Sequence, residues 1–295
     1  MEVIIVCFLL FTLEKLPLPL EGVVLALFSL VCVYGAAASL ANPMFGKQLI
    51  PLGDPFLKTK APGENEKNNE NSSPCLTTSS RLTSGLRTIA KMLDSGRVCG
   101  IPTDTVYALA ASCQHPEAVK MIYNIKERPA EKPICICISS LDQLTAVHPP
   151  FCPLLWEFMN QVYPGSISCI VKKGEWLKKL GVGAVYDYVG TKDSIMIRVP
   201  DHTVTAHLVN MTGPLAITSA NPSGEPDSIH HDMVILRLGH KIDGVLCDGS
   251  SNEVVASTVI NCTKIDEEGI TILREGCVPV VRVLEVFKQV KSKFV

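Results

Sequence analysis

Residues 194–224 read SIMIRVPDHTVTAHLVNMTGPLAITSANPSG. Ile195–Val199 is an apolar run of strand length, Thr203–Met211 reads as a helix, and Leu215–Thr218 is a second strand-like run. Strand, helix and strand in one stretch is the signature of an α/β layer. Working outward, Leu82, Leu86, Ile89 and Leu93 fall at helical spacing, with Gly96 placed to end that helix. Val98–Ile101 is a short strand running into Pro102, and Pro116 opens a helix with Val119, Ile122 and Ile125 on one face. Ile134–Ile138 and Ile167–Lys172 read as strands with a helix over Leu154–Val162 between them; Val245–Cys247, Val259–Asn261 and Ile270–Leu273 add three more strands. The alternation lacks a strict βαβ rhythm, so the expectation is a single α/β domain with a mixed sheet flanked by helices, over residues 79–284, and a short tail at 285–295.

The chain has 295 residues, 47% hydrophobic and 19% charged, with a net charge of −2; this excludes a disordered chain and a strongly basic nucleic-acid coat. Residues 1–46 carry only Glu2, Glu14, Lys15 and Glu21 as charges, and Val23–Ala41 is about as long as a hydrocarbon core of ~30 Å requires. A membrane anchor, a cleaved targeting peptide ending in AAASLA, and an extension of the gene model each fit this stretch. Residues 47–78, rich in Pro, Asn, Glu, Lys and Ser, read as a linker that cannot bury enough apolar surface to order itself. The twelve cysteines include no C-x-x-C pair, and Cys135 and Cys137 share one face of a strand, which points to reduced thiols rather than a metal site. The expectation is a cytoplasmic protein, with membrane or mitochondrial association offered by residues 22–46.

Polar clusters repeatedly follow strand ends, where open α/β sheets place ligands. Pro102-Thr103-Asp104-Thr105-Val106-Tyr107 packs hydroxyls, a carboxylate and a phenol together; it suits a small polar substrate, or simply caps a helix. Lys126-Glu127-Arg128-Pro129-Ala130-Glu131-Lys132-Pro133 holds three cations in a proline-stiffened loop that suits a polyphosphate or carboxylate, or a solvated helix end. Thr218-Ser219-Ala220-Asn221-Pro222-Ser223-Gly224 brings small hydrogen-bonding residues to a strand end, and a plain turn explains part of it. Arg198 lies inside an apolar strand, where a charge demands a partner or a ligand. Ser257-Thr258-Val259 and Arg274 flank the last strands.

Taken in order, PTDTVY, K-x-R-P followed by KP, R-V-P-D-H, T-S-A-N-P-S-G, S-T-V and L-R-E-G make the chain resemble the YrdC family of threonylcarbamoyl-AMP synthases over roughly residues 80–278. The resemblance implies a twisted open sheet with a concave, positively charged cleft. It also implies an ATP-dependent nucleotidyltransferase that condenses L-threonine, bicarbonate and ATP into threonylcarbamoyl-AMP and pyrophosphate. Mg²⁺ would be bound mainly through the phosphates, with no protein metal site. The partners implied are a downstream threonylcarbamoyl transferase of the KEOPS-like kind and, through it, tRNA. A catalytically weak double-stranded RNA- or tRNA-binding module of the same fold is the alternative.

By motif, the resemblance assigns Thr105, Cys137, Arg198, Thr218 and Ser257 to L-threonine. Arg128, Lys132, Ser194, Ala220 and Asn221, with Ser228 and Arg274, fall to ATP, while Lys126, Arg128 and Tyr107 stand nearest the chemistry. Converging anions need such cations, and the hydroxyls orient one amino acid rather than supply acid–base chemistry. Five departures from the family pattern stand out: Ala108 and Glu127 where glycine is usual, Cys137 where some relatives place a histidine, PGSIS (Pro164–Ser168) in place of PGPxT, and Asp248-Gly249-Ser250 in place of DGG.

Overall fold

Helix α1 (Thr83–Asp94) forms where the sequence spaces Ile89 and Leu93 one turn apart, and both are fully buried in the computed structural model, which describes residues 75–127 and 134–294. Leu86 is half-buried and Leu82 stands exposed at the helix start, so the apolar face is narrower than its spacing suggested. Gly96 follows with φ of +77°, a left-handed conformation that only glycine adopts without a Cβ penalty. Helix α2 (Pro116–Lys126) opens on a proline, whose missing N–H is an orphan at that position anyway, and buries Val119, Ile122 and Ile125. The other α-helices are α3 (Leu141–Val147), α4 (Pro153–Val162), α5 (Thr203–Thr212), α6 (His231–Leu238) and α7 (Val280–Lys291).

The strands are β1 (Leu76–Ser79), β2 (Cys99–Ile101), β3 (Ala108–Ser112), β4 (Cys135–Cys137), β5 (Ile167–Lys172), β6 (Ser194–Arg198), β7 (Leu215–Ser219), β8 (Gly244–Cys247), β9 (Thr258–Asn261) and β10 (Thr271–Arg274). They form one sheet in the order β1-β8-β2-β3-β7-β4-β6-β5-β9-β10. Parallel pairs such as β4 with β6 are mixed with antiparallel ones such as β3 with β7, and among the described strands β1 and β10 stand at the two edges. The expected α/β class, with a mixed and unclosed sheet flanked by helices, is therefore what the chain adopts.

Differences fall where local signals are weak. Strand β3 reads ALAAS, poor in the β-branched residues that mark strands, yet it is buried throughout and paired on both sides. Strand β1 lies inside the stretch read as linker, and α7 runs through the boundary placed at 284 and 285. The expected localisation is corrected: among the described residues no helix is long and apolar enough to cross a membrane, and residues 22–46 lie outside the described residues.

Register decides which side chains share a face. Directly opposed residues point the same way, and Cys135 opposes Ile217, Ala108 opposes Ser219, and Cys137 opposes Arg198. Strand β5 runs antiparallel to β6 with Cys169 opposite Ile197, which sets Ser168 beside Arg198. On this face, apolar residues of β2, β3, β4 and β7 pack with Ile89 and Leu93 of α1 and Leu208 and Val209 of α5. Where that helical cover stops, the same face opens into a pocket.

Candidate active site

Arg198 ends β6 and is almost wholly buried. A guanidinium in that position is costly unless paired. Its Nη2 donates to Asp104 Oδ1 at 2.5 Å and to Thr105 Oγ1 at 2.7 Å. Asp104 Oδ2 in turn accepts from Ser166 Oγ at 2.9 Å. The loop that delivers Asp104 is shaped locally: Thr103 Oγ1 accepts the Thr105 N–H at 3.1 Å and donates to the Val106 carbonyl at 2.7 Å. Arg198 Nε is buried with no hydrogen-bond partner. A buried unsatisfied guanidinium N–H calls for an explanation, and because Arg198 lines the pocket a ligand oxygen is one that fits.

Across the pocket, the Ser168 and Ser257 hydroxyls lie 2.9 Å apart. Arg274 donates to the Ser257 carbonyl from Nε at 3.2 Å and from Nη2 at 2.7 Å. The cavity between these walls measures about 80 Å³, and Val106, Ala108, Cys135, Met196 and Ile217 supply an apolar side. Thr218 and Ser219 complete the lining together with the Tyr107 ring. Two guanidiniums, several hydroxyls and an apolar patch suit a small polar molecule with an anionic group.

Lys126 stands at the end of α2, buried, and donates to the Ser219 carbonyl at 2.7 Å, Asn221 Oδ1 at 3.0 Å and Ser219 Oγ at 3.3 Å. Ser219 Oγ also donates to Asn221 Oδ1 at 2.6 Å, and Asn221 Nδ2 donates to the Glu225 carbonyl at 2.6 Å. Ser223 Oγ closes the corner on the Lys126 carbonyl at 2.5 Å. Ser219 was not singled out in the sequence. The signal was its alternation: two residues beyond Ile217, it shares the pocket face.

The structure thus gathers Arg198, Thr218, Ser257 and Arg274 around one cavity and sets Lys126 and Asn221 at its corner. Arg128 and Lys132 lie outside the described residues. Thr105 is fully buried behind Arg198 and spends its hydroxyl on it. Cys137 is also fully buried, packed with residues of α1 and α5; Cys135, one step nearer the opening, lines the cavity in its place. Burial pushes the Cys135 thiol up to about 12, so it stays neutral. Ser194 sits at the opposite end of β6 from Arg198 and pairs with the Thr191 hydroxyl at 2.8 Å. Ala220 and Ser228 fasten loops: the Ala220 N–H donates to the Tyr107 carbonyl at 2.8 Å and Ser228 Oγ donates to the Ala220 carbonyl at 2.6 Å.

Tyr107, expected near the chemistry, lines the pocket. Its hydroxyl donates to the Gly249 carbonyl at 2.9 Å and accepts the Asp248 N–H at 3.0 Å. Burial raises the phenol well above its ordinary pKa. The ring is a wall of the pocket and the hydroxyl a tie to the loop beyond β8, with no lone proton to exchange. Of the departures from the family pattern, Ala108 is benign, because it opens β3 without a positive φ. Glu127 adopts φ of 49°, the left-handed region that glycine would occupy without strain.

Comparison with known proteins places these features in a family context. The family model for Sua5, YciO and YrdC proteins, described as "Telomere recombination", matches residues 91–276. The chain is 29% identical over 209 residues to the threonylcarbamoyl-AMP synthase of Pyrococcus abyssi, covering 70% of this chain and 58% of that one. It is 31% identical over 176 residues to the threonylcarbamoyl-AMP synthase of Bacillus subtilis, covering 59% of this chain and 49% of that one. It therefore spans about half to three-fifths of the length of these relatives. The crystal structure of P. abyssi Sua5 complexed with L-threonine superposes with a TM-score of 0.62 at 27% identity, over 72% of this chain and 61% of that one.

Proposed function

The chain belongs to the Sua5/YciO/YrdC family, and from that premise we propose that it is a threonylcarbamoyl-AMP synthase of the nucleotidyltransferase type. In this reading the amine of L-threonine attacks bicarbonate to give a carbamate and water, and a carbamate oxygen then attacks the α-phosphorus of ATP and releases pyrophosphate. Bicarbonate, the carbamate and ATP all carry negative charge, so the reaction gains most from fixed cations and positioning. The observation that carries the reading is Arg198, buried at the pocket wall with an unpartnered Nε beside a hydroxyl-lined cavity. The threonine carboxylate takes Arg198, and its side chain lies between the Ser168 and Ser257 hydroxyls and the apolar side. The phosphates face Arg274 and Lys126, and Arg128 and Lys132 keep the ATP role that the family motif gives them.

Mg²⁺ enters with ATP, held mainly by phosphates and water. The one carboxylate beside Arg198 fits that role division, since both oxygens of Asp104 already serve Arg198 and Ser166. The product, an activated carbamoyl adenylate, needs a transferase to deliver it to the adenosine of a tRNA.

The purified full chain is expected to release pyrophosphate from ATP only when L-threonine and bicarbonate are both present. Release without threonine, or none under conditions where the B. subtilis relative works, overturns the assignment. Threonine-independent, salt-sensitive binding of tRNA in the same preparation points instead to an RNA-binding module.

A further inference from the structure

We propose that Asp104 is a positioning residue that fixes Arg198 for a ligand carboxylate, and that Ser166 completes the device by holding Asp104; this rests on the reading of the pocket as an L-threonine site. Arg198 hangs from a strand end on a long side chain, and its rotamer freedom would otherwise be lost on each binding event. Asp104 Oδ1 at 2.5 Å and Thr105 Oγ1 at 2.7 Å both take Nη2, which pins one corner of the guanidinium. Arg198 itself lines the cavity, and its Nε is buried and unpartnered. Asp104 does not itself line the cavity, and both side chains of the pair are over nine-tenths buried. Its second oxygen is spent on Ser166 Oγ at 2.9 Å, so its carboxylate is not free to bind substrate.

The pairing has a chemical consequence. Asp104 cancels the charge of Arg198, so this wall recognises a carboxylate by the direction of its N–H groups rather than by net charge. A zwitterionic amino acid has a single carboxylate and no net charge, which matches a wall of that kind. A polyphosphate needs uncompensated cations and is drawn to the Arg274 side.

The experiment titrates L-threonine and ATP separately into the full chain and into Asp104→Asn, Arg198→Gln and the double variant, by calorimetry. Asp104→Asn keeps the shape and removes the charge-assisted bond, so threonine binding is expected to weaken about tenfold while ATP binding stays within about twofold. In the Arg198→Gln background the same change should add less than about twofold, because a positioning residue acts only through the group it positions. Full additivity in the double variant, unchanged threonine binding, or equal losses for both ligands overturns the proposal. If Asp104→Asn does not fold, Ser166→Ala tests the same chain of contacts: a threonine-only loss of about threefold supports it, and no loss overturns it. Wild-type protein that binds no threonine overturns the reading of the site itself, an outcome visible before any variant is made.

Discussion

Two arginines face one pocket, and they are built differently. Arg198 is buried in the middle of the sheet, on β6, and is clamped by a carboxylate. Arg274 ends the edge strand β10, where the pairing with β9 is irregular between Ile272 and Arg274, and it is exposed. It is held by the carbonyl of Ser257, and among the described residues no carboxylate lies within salt-bridge distance of it. One cation is directional and neutralised; the other keeps its charge at the mouth. On the proposed function, the difference separates two jobs that composition cannot distinguish: gripping a small zwitterion and attracting a polyanion.

The comparison is broken most forcefully at the buried side. Asp104→Leu leaves the Arg198 guanidinium without its anion in a dry site, and unfolding by urea is expected to show a loss of about 3–5 kcal/mol. A loss under about 1 kcal/mol would mean that Arg198 finds water, and the contrast with Arg274 would collapse. Tyr107→Phe removes two hydrogen bonds between the pocket wall and the Asp248–Gly249 loop, for an expected cost of about 1–3 kcal/mol in the same measurement. It should leave pyrophosphate release per folded molecule near wild type if the hydroxyl serves only to hold that loop.

Smaller effects sharpen the contrast. Glu127→Gly relieves a left-handed residue at the end of α2 and is expected to stabilise the protein by about 1 kcal/mol, offset slightly by the loosely paired Lys241. Arg274→Gln should alter stability least, by less than about 1 kcal/mol, since the side chain is exposed and its bonds to the Ser257 carbonyl are only partly buried. It should instead weaken ATP binding and flatten the dependence of that binding on salt between about 50 and 200 mM, leaving threonine binding unchanged. A flattened salt response for threonine instead would assign the charged role to the wrong arginine.

Much of the fold was legible because burial imposes period: Ile89 with Leu93, and Val119, Ile122 and Ile125, lie where their spacing put them. The motif residues Arg198, Thr218, Ser257 and Arg274 were legible as candidates because polar groups at the ends of apolar strands have few structural uses. A motif does not disclose what stands behind it. Thr105 and Tyr107 have the chemistry of ligand groups, and the structure spends their hydroxyls on Arg198 and on the Gly249 carbonyl. Cys137 and Cys135 share a strand face, and nothing in their order tells which one the helices cover.

By itself, then, the sequence determined the alternation of strands and helices, the family, and the set of side chains from which a site could be drawn. These depend on local periodicity and on short motifs, both of which are properties of neighbours along the chain. Only the tertiary structure decided which of those side chains meet. Asp104 reaches Arg198 across 94 residues of chain and Ser168 reaches Ser257 across 89, contacts made by strand order and register in a mixed sheet. Register is set by burial of whole strand faces at once, so the partner of a charge is chosen by the fold and not by its own vicinity.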